Sequence, residues 1–387
     1  MRYVESERKV ASCRCRRLLC NRCSVTPTLD PSDGFGDLRQ PRSGYTLPGE
    51  LRWMLVALAG WALWALASSA LVGASFSAML PFLSFPLALA AGVGVGGLLT
   101  RSTAGPALPA ILAVAAGLVA IAIPFYANAQ AAWGLQLLAL AGLFVVKALT
   151  GEDHRLTSRG TVFALGMLGL MSVLLISRAQ ATSALVVPLG VIILCAVLWR
   201  PVLSRAVVAI SGLVVVATAA LVLITLASLS KWPEALNAGS SLSSTRHRLW
   251  ADALQLWREN PLIGAGPGAF FAHSDIARSN PLLERAHSAI LQAGAELGSV
   301  GAILFLLILA AGAALAARGT SSAGLIAVAA WSALAVHSMI DHLYEFPIVV
   351  LTAGIVIGYA SDFSPWDLKK STAEPRRTPG GGQRWSR

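Results

Sequence analysis

The sequence AVVAISGLVVVATAALVLITLASL occupies residues 206–229 and contains no Asp, Glu, Lys or Arg. An α-helix of this length and composition is sufficient to cross the roughly 30 Å hydrocarbon core of a bilayer. Similar apolar runs recur on both sides of this segment at lengths typical of membrane spans. The ten predicted spans lie approximately at residues 52–72, 77–99, 106–125, 131–149, 161–177, 181–199, 206–229, 288–316, 322–343 and 347–361. We therefore predict an all-α, polytopic membrane bundle of about ten helices with one large loop, at about residues 230–287.

The composition excludes the common classes of soluble protein. Of the 387 residues, 56% are hydrophobic and only 13% are charged, whereas roughly 25% of residues are charged in an ordinary soluble domain. A folded soluble chain of this size exposes much of its surface to water, and so few charged residues cannot cover such a surface. A cytosolic enzyme, a secreted disulfide-stabilised protein and a disordered protein are therefore excluded.

The distribution of basic residues predicts the orientation of the spans. The net charge of +11 is concentrated in the tails and short loops, and loops rich in Lys and Arg face the cytoplasm. The predicted cytoplasmic segments contain Arg101, Arg155, Arg159, Arg200, Arg205, Arg318 and the Lys369-Lys370 tail. The large loop then faces outward, and Arg178 is the exception among the short outer loops. No basic stripe lies on a folded soluble unit, so the charge does not indicate nucleic-acid binding.

These features divide the chain into three predicted segments. They are a basic, disordered cytoplasmic tail at residues 1–50, a transmembrane domain with the candidate catalytic residues at 51–361, and a basic tail at 362–387. The first tail has a C-x-C and a C-x-x-C pair, a spacing compatible with zinc ligation, but it lacks histidine and an apolar core. A translation start at Met54 is an alternative. The tail cysteines are Cys13, Cys15, Cys20 and Cys23.

A helix is predicted within the large outer loop, over Thr245–Glu259. Its apolar residues recur at helical spacing and include Trp250 and Trp257, which suit a membrane interface. Asn260-Pro261 is a signal that ends a helix. The Gly264-Ala-Gly-Pro-Gly268 turn that follows permits a close approach of the backbone to another group.

Three arginines on the outer side are candidate ligands for an anion. Arg178 interrupts two spans at their outer junction, and Arg246 and Arg248 begin the predicted loop helix. A charged group at such a position costs free energy, so each one is expected to have a structural or functional role. The alternatives are a snorkelling anchor for Arg178 and a solvated basic face for the other two. Together, the arginines favour recognition of phosphate, which a guanidinium group meets with paired hydrogen bonds.

His287 is the candidate proton acceptor. It stands at the outer end of the eighth predicted span, and histidine is the side chain best matched to accept a proton near neutral pH. A purely structural histidine is the alternative. Glu296 lies roughly two turns further along this span, where we predict a paired or orienting role. Gly294, Gly298 and Gly301 on the same span predict close helix packing.

A second polar group closes the ninth predicted span. His337, Asp341, His342 and Glu345 have the spacing i, i+4, i+5 and i+8, which is compatible with metal ligands. The preferred interpretation is that His337, Asp341 and Glu345 satisfy one another within a bundle. No P-loop, G-x-S-x-G, H-E-x-x-H or dinucleotide motif occurs in a credible context. The sequence therefore does not support ATP-driven chemistry.

Several motifs in the second half of the chain occur together in one order. They are Ile176-Ser177-Arg178-Ala179, Arg246-His-Arg-Leu-Trp250-Ala-Asp-Ala-Leu, Asn260-Pro-Leu-Ile-Gly264-Ala-Gly-Pro-Gly268-Ala-Phe270, His287-Ser-Ala-Ile-Leu-Gln-Ala-Gly-Ala-Glu296-Leu-Gly298-Ser-Val-Gly301, His337-Ser-Met-Ile-Asp341 and Glu345-Phe-Pro347. In this order and topology, the motifs resemble the signature of the O-antigen ligase and Wzy-type polymerase superfamily. The resemblance covers about residues 160–360.

The resemblance implies a GT-C-like integral membrane glycosyltransferase. Such enzymes move a glycan from undecaprenyl diphosphate to an acceptor hydroxyl, on lipid A-core or a similar molecule, without a metal, cofactor or nucleotide. They act at the periplasmic face of the bacterial inner membrane, among its lipids. By position, Arg178 and Arg246 would bind the diphosphate, with Arg248 as a substitute for Arg246, and His287 would activate the acceptor. Supporting roles fall on Glu296, His337 and Asp341.

Two features depart from the pattern of this family. Ser288 follows the histidine at a position where Asn is common, which leaves the orientation of His287 open. We also predict ten spans, whereas many relatives have about twelve, so the N-terminal half stays unassigned.

Several other functions are alternatives to that of an O-antigen ligase. Within the same class, the alternatives are a Wzy-type polymerase that joins repeat units and a protein O-oligosaccharyltransferase. From another class, the alternative is a polysaccharide or lipid transporter, or flippase. A transporter would place charged residues near the midplane, on broken helices of symmetry-related halves. Here they gather on one outer face, around a single large loop, which favours chemistry at the membrane interface.

Overall fold

The structure is a computed structural model. It describes residues 47–100, 126–150, 159–177, 180–232, 244–280 and 283–361, with a few single positions between 111 and 118. The first 46 residues with their four cysteines, the predicted tail at 362–387, Arg178 and most of the third predicted span lie outside the described residues.

The described residues form helices, and no strand occurs among them. The α-helices are α1 (Gly49–Val72), α2 (Phe76–Leu99), α3 (Ala127–Thr150), α4 (Arg159–Ile176), α5 (Gln180–Leu198), α6 (Arg205–Ser228), α7 (Ser244–Glu259), α8 (Ala269–His273), α9 (Asp275–Ser279), α10 (Ala289–Ala316), α11 (Ser321–Met339) and α12 (Pro347–Ala360). A short 3₁₀ helix, Leu343–Glu345, lies between α11 and α12. The predicted all-α fold class is confirmed.

The helices agree closely with the predicted membrane spans. Six of those described, α1, α2, α3, α6, α10 and α11, are long and apolar enough to cross a membrane. Shorter apolar stretches occur in α4, α5 and α12, at Val162–Ile176, Leu185–Leu198 and Pro347–Ala360. The chain is therefore a multi-pass membrane protein. The end of the bundle that contains Tyr126, His287 and Asp341 is the end predicted to face outward, and we call it the outer end.

The predicted eighth span is interrupted rather than continuous. Within α10, Gly298 has φ 70° and ψ −170°, which is not helical. The loop between α7 and α8 fits against this break. Its hydrogen bonds run from the Ala265 N–H to the Ala295 carbonyl (2.9 Å), from the Gly266 N–H to the Glu296 carbonyl (2.9 Å) and from the Ser299 N–H to the Pro261 carbonyl (2.8 Å). The loop therefore satisfies backbone groups that the break removes from the helix.

Helix α1 closes the other side of the break. Trp64 Nε1 donates a hydrogen bond to the Leu297 carbonyl at 2.8 Å, and Ser68 Oγ donates one to the Ile263 carbonyl at 3.3 Å. Irregular backbone at membrane depth is tolerated only where protein groups satisfy its hydrogen bonds. The glycine turn of the loop thus has a structural purpose, because Gly264 (φ 78°) packs directly on the Glu296–Gly298 backbone.

The other glycines of α10 partly follow the sequence prediction. Gly294 provides close packing, since the ring of Trp257 on α7 lies where its Cβ would be. Trp257 also donates a hydrogen bond from Nε1 to Ser299 Oγ at 3.1 Å. For Gly298, the prediction of helix packing is wrong, because this residue breaks the helix to admit the loop.

A pair of glycine motifs joins α12 to α2. Gly92 and Gly96 face Gly354 and Gly358, and a Cβ at any of these positions would approach the backbone of the opposite helix to 3.0 Å or closer. Small residues four positions apart let membrane helices pack backbone to backbone. This contact holds α12, and with it the 3₁₀ helix and Asp341, at the outer end of the bundle.

The break in α10 generates a stability prediction. Gly298→Ala places a Cβ against the Leu262 carbonyl, at a backbone conformation essentially restricted to glycine, so we expect a loss of at least about 1–3 kcal/mol. Thermal unfolding in detergent measures it. The matched control is Gly166→Ala in α4, where a Cβ meets nothing within 4 Å and the change is expected to be neutral or stabilising. Equal melting of the two variants would show that the break does not require glycine.

Candidate functional site

The candidate site is organised around the carboxylate of Asp341. This residue lies just beyond the end of α11, and its side chain is fully buried. One oxygen, Oδ2, accepts hydrogen bonds from the Tyr126 hydroxyl at 3.0 Å and from Asn128 Nδ2 at 2.6 Å. Arg246 Nη2 lies 3.7 Å from the same oxygen. A buried carboxylate is stable only when it is paired and hydrogen-bonded, and these three groups meet that requirement.

The second oxygen of Asp341 faces two histidines. His287 Nδ1 lies 3.3 Å from Oδ1 and His342 Nδ1 lies 2.9 Å from it. The backbone N–H of His342 also donates to Oδ1, at 2.9 Å. The two imidazole rings meet edge to face, with their centroids 4.8 Å apart. One carboxylate therefore joins both histidines to the arginine and the tyrosine.

The fold brings these residues together from four separate segments. Tyr126 and Asn128 lie at the start of α3, which is anchored by hydrogen bonds from Trp133 Nε1 to Thr352 Oγ1 (3.0 Å) and from Gln136 Nε2 to the Ala330 carbonyl (3.1 Å). Arg246 comes from α7, and His287 comes from the segment before α10. Asp341 and His342 come from the connection between α11 and α12.

The backbone around His287 is unusual and is held from both sides. His287 has φ 49°, a left-handed conformation that non-glycine residues adopt rarely and at a cost. Its carbonyl accepts a hydrogen bond from Trp250 Nε1 at 3.2 Å, and the next N–H but one, of Ala289, donates to the Asp341 carbonyl at 3.1 Å. Ser288 caps α10 by accepting a hydrogen bond from the Leu291 N–H. Ser288 therefore begins the helix immediately after the histidine.

The two ring nitrogens of His287 have different surroundings. When Nδ1 carries its proton and donates to Asp341, the lone pair of the other nitrogen, Nε2, is available. Nε2 has no hydrogen-bond partner within the described part of the chain, and the side chain is only 4% exposed. A base oriented by a carboxylate through its second nitrogen is a recurring catalytic arrangement.

The structure separates the roles of the two loop arginines. Arg246 is 12% exposed in its side chain, lies beside Asp341, and donates from Nη1 to the Ile340 carbonyl. Arg248, on the same helix, is exposed. Of these two arginines, Arg246 is thus the one that the fold brings to Asp341, and Arg178 lies outside the described residues.

The predicted interfacial role of Trp250 is wrong. This side chain has no exposed surface and packs in the protein core, where it donates the hydrogen bond to the His287 carbonyl. The apolar face of α7 packs on α10 instead of lying against lipid. Trp250 therefore connects the arginine helix to the histidine.

The residues predicted to support the site are dispersed. Glu296 is buried below the site, and its Oε1 accepts a hydrogen bond from the Phe270 N–H at 3.1 Å. His337 is buried, and neither of its ring nitrogens has a hydrogen-bond partner among the described residues. Glu345 forms an ion pair with Arg285 at 3.1 Å. The preferred interpretation that His337, Asp341 and Glu345 satisfy one another is therefore wrong, because other segments supply the partners of Asp341 and Glu345.

Sequence reasoning missed Tyr126 and Asn128 altogether. Both lie in Pro124-Phe-Tyr126-Ala-Asn128, a polar interruption at the outer end of an apolar segment. That position was a usable signal, since polar groups at the end of a span have to be satisfied. The sequence indicated His342 only as a possible metal ligand together with His337, Asp341 and Glu345.

Electrostatics keep Asp341 ionised and Tyr126 protonated. Burial would raise the pKa of the Asp341 carboxyl, but the contacts with His287 and His342 and the charge of Arg246 hold it well below its usual range. Burial, together with the negative charge of Asp341, raises the pKa of the Tyr126 hydroxyl. The tyrosine can therefore act as a donor to the carboxylate throughout the physiological pH range.

Removal of the Asp341 charge is expected to destabilise the protein. In Asp341→Asn, the new amide NH₂ is a donor that faces side chains which themselves donate, such as Tyr126 and Asn128. The variant also leaves Arg246 without its counter-charge. Breaking a buried pair in this way costs about 3–5 kcal/mol, measurable as thermal or denaturant-induced unfolding in detergent at neutral pH.

The control for this prediction is Asp275→Asn. Asp275 pairs with Arg278, but their side chains are 88% and 51% exposed, and exposed pairs contribute little. If both variants unfold together with the parent, Asp341 does not organise the site.

One family of known proteins matches part of the chain. Residues 158–306 match the model of a family described as O-antigen ligase (Wzy_C). No curated protein matches the chain. The matched segment includes Arg246 and His287 and ends before Asp341. Over residues 158–306, which are less than half of the chain, this match confirms the resemblance to the O-antigen ligase and Wzy-type superfamily.

Proposed function

We propose that this protein is an O-antigen ligase-type glycosyltransferase that moves a glycan from undecaprenyl diphosphate to an acceptor hydroxyl. The family match indicates a glycan transferase of the ligase or polymerase type. The observation that supports a transfer reaction is the contact of His287 Nδ1 with the Asp341 carboxylate, 3.3 Å away, beside Arg246. We interpret His287 as the base, Asp341 as its orienting carboxylate and Arg246 as the phosphate-binding cation.

In the proposed reaction, His287 Nε2 accepts the proton of the acceptor hydroxyl while its oxygen attacks the anomeric carbon of the donor sugar. The bond from that carbon to the diphosphate oxygen breaks, and the electron pair leaves with undecaprenyl diphosphate. The products are the glycosylated acceptor and the free lipid diphosphate. The proton rests on His287 until it passes to water or to the leaving diphosphate.

Each neighbouring group has a defined role in this reaction. The Asp341 carboxylate holds the Nδ1 proton and stabilises the imidazolium that forms. Arg246 neutralises charge that develops on the diphosphate as it leaves, and we assign Arg178 the same role. Tyr126 and Asn128 keep the Asp341 carboxylate in place, so we propose them as positioning residues. The reaction needs no metal or cofactor in this scheme.

The site lies where a lipid-linked donor would present its sugar. His287 and Asp341 lie next to the ends of the apolar helices α10 and α11, at the outer end of the bundle, and Arg246 near the start of α7 lies beside Asp341. A diphosphate at the membrane surface would have its polyprenyl chain in the bilayer and its glycan in water. We propose that the protein lies in the bacterial inner membrane with this end facing the periplasm.

A transporter is less consistent with the same geometry. The break in α10 is packed against the α7–α8 loop and against α1 through direct hydrogen bonds, whereas broken helices of transporters line a substrate cavity at the midplane. The charged groups of the Asp341 cluster lie at the helix ends. This distribution supports chemistry at the interface.

Kinetics of purified variants test the assignment of residues. With a lipid-linked glycan donor and an acceptor, His287→Gln is expected to lower kcat by about 10²–10⁴-fold, because the general base is lost. Arg246→Lys is expected to lower kcat/KM, since Lys cannot pair with phosphate through a planar fork.

The matched control for Arg246 is Arg248→Lys, on the exposed side of the same helix. Little change is expected there. Transfer by His287→Gln at the parental rate, in protein that inserts normally, would remove His287 from the mechanism. A larger effect at Arg248 than at Arg246 would exchange their roles.

Surface glycans of a deletion strain separate a ligase from its alternatives. Loss of a ligase is expected to leave long chains on the lipid carrier, since the acceptor receives none. Loss of a polymerase instead leaves a single repeat unit on the acceptor. Loss of glycoprotein staining with intact surface polysaccharide would indicate a protein O-oligosaccharyltransferase. Gel analysis of lipopolysaccharide, lipid-linked glycan and glycoprotein distinguishes these three results.

A further inference from the structure

We propose that His287, His342 and Asp341 form a binding site for a zinc ion, and that zinc at this site inhibits glycan transfer. The metal site depends only on the geometry of these three residues. Its inhibitory effect rests on the proposed function, because it acts through the His287 base.

The ligand atoms are already gathered. One from each residue lies within 4.8 Å of the others, and the Nδ1 atoms of His287 and His342 are 3.3 and 2.9 Å from Asp341 Oδ1. Ligands about 2.0–2.2 Å from a tetrahedral zinc lie about 3.3–3.6 Å apart. Both distances to Oδ1 are therefore close to those of a tetrahedral zinc site, and the ligand atoms lie no more than 4.8 Å apart before any adjustment on binding.

The nature of the ligands favours zinc over the harder divalent cations. Imidazole nitrogens suit zinc, whereas magnesium and calcium prefer sites made of oxygen atoms. Three protein ligands with a fourth position free for water are typical of an open zinc site. His287 and Asp341 are buried, and His342 is 14% exposed in its side chain, so His342 is the ligand most accessible to solvent.

Two further observations indicate that the cluster is suited to a cation. His342 Nδ1 is buried and lies 2.9 Å from Oδ1, but the imidazole ring is not oriented for a hydrogen bond to this oxygen. The other oxygen of Asp341 is held by Tyr126 and Asn128, and such outer hydrogen bonds orient a carboxylate for a metal. The charge of Arg246, near Oδ2, lowers the affinity for zinc and keeps binding reversible.

Zinc would inhibit by changing the tautomer of His287. In the catalytic arrangement, Nδ1 carries the proton and Nε2 has the free lone pair. Coordination of zinc takes the Nδ1 lone pair, so the proton of the neutral ring resides on Nε2. Nε2 then donates a hydrogen bond and cannot accept the proton of the acceptor hydroxyl. The proposed base is thus lost without any displacement of its backbone.

Zinc binding is measured directly on the full chain. The purification tag is free of histidine, and Cys13, Cys15, Cys20 and Cys23 are replaced by Ser so that tail thiolates cannot contribute. Equilibrium dialysis against buffered zinc is expected to give one bound ion per chain. His342→Gln is expected to weaken binding at least about tenfold. His273→Gln, which changes a histidine of α8, is the matched control and is expected to bind as the parent does.

The binding experiment and the X-ray absorption spectrum can each overturn the proposed zinc site. Absence of bound zinc, or equal affinity of the parent and His342→Gln, overturns the site. X-ray absorption of the zinc-loaded parent is expected to show two imidazole ligands. A spectrum without them overturns the site even if the variants fail to fold.

The activity experiment separates the site from the proposed function. Zinc is expected to inhibit transfer by the parent, with recovery on addition of EDTA. His342→Gln should need at least about tenfold more zinc for the same inhibition, relative to its own rate without metal. Bound zinc without inhibition overturns the tautomer mechanism but not the site. Absence of transfer by zinc-free parent contradicts the proposed function and leaves the binding result valid.

Discussion

The buried carboxylate of Asp341 is the interaction on which the outer end of this protein depends. A charge removed from water is costly unless opposite charge and hydrogen-bond donors surround it. Donors arrive here from the start of α3, from α7 and from the segment before α10. Arg246 supplies the counter-charge and the other segments supply hydrogen-bond donors to the two oxygens, so all of these segments converge on the carboxylate. The same requirement that stabilises the fold therefore assembles the candidate site.

A second constraint comes from the interrupted helix α10. Backbone groups released at Gly298 have no water to bind at membrane depth, so protein groups must take its place. The α7–α8 loop and Trp64 of α1 supply them. This contact fixes the loop to the bundle, and α7 in turn positions Arg246 and Trp250 close to His287. The glycine turn of the loop thus acts on the site through the backbone, at a distance from the chemistry.

The residues that sequence reasoning found and missed differ in a physical way. His287 was found because it is an ionisable group at the end of an apolar segment, and Arg246 was found because it begins the helix of the outer loop within a recognisable motif. Tyr126 and Asn128 are neutral and far from Asp341 in the chain, so no local pattern joins them. Trp250 was assigned to the bilayer because helical spacing shows which residues share a face. Spacing does not show whether lipid or protein covers that face.

The sequence by itself determined the membrane-spanning helices, the all-α class and the family resemblance of residues 158–306. These properties depend on local hydrophobicity and on motifs whose residues are near one another in the chain. Only the tertiary structure decided which arginine meets the histidine, which carboxylate orients it and which second histidine shares that carboxylate. His287 and Asp341 are 54 residues apart in the chain, and Tyr126 and Asp341 are 215 residues apart. Such relations arise because buried charges and interrupted helices must find partners in three dimensions.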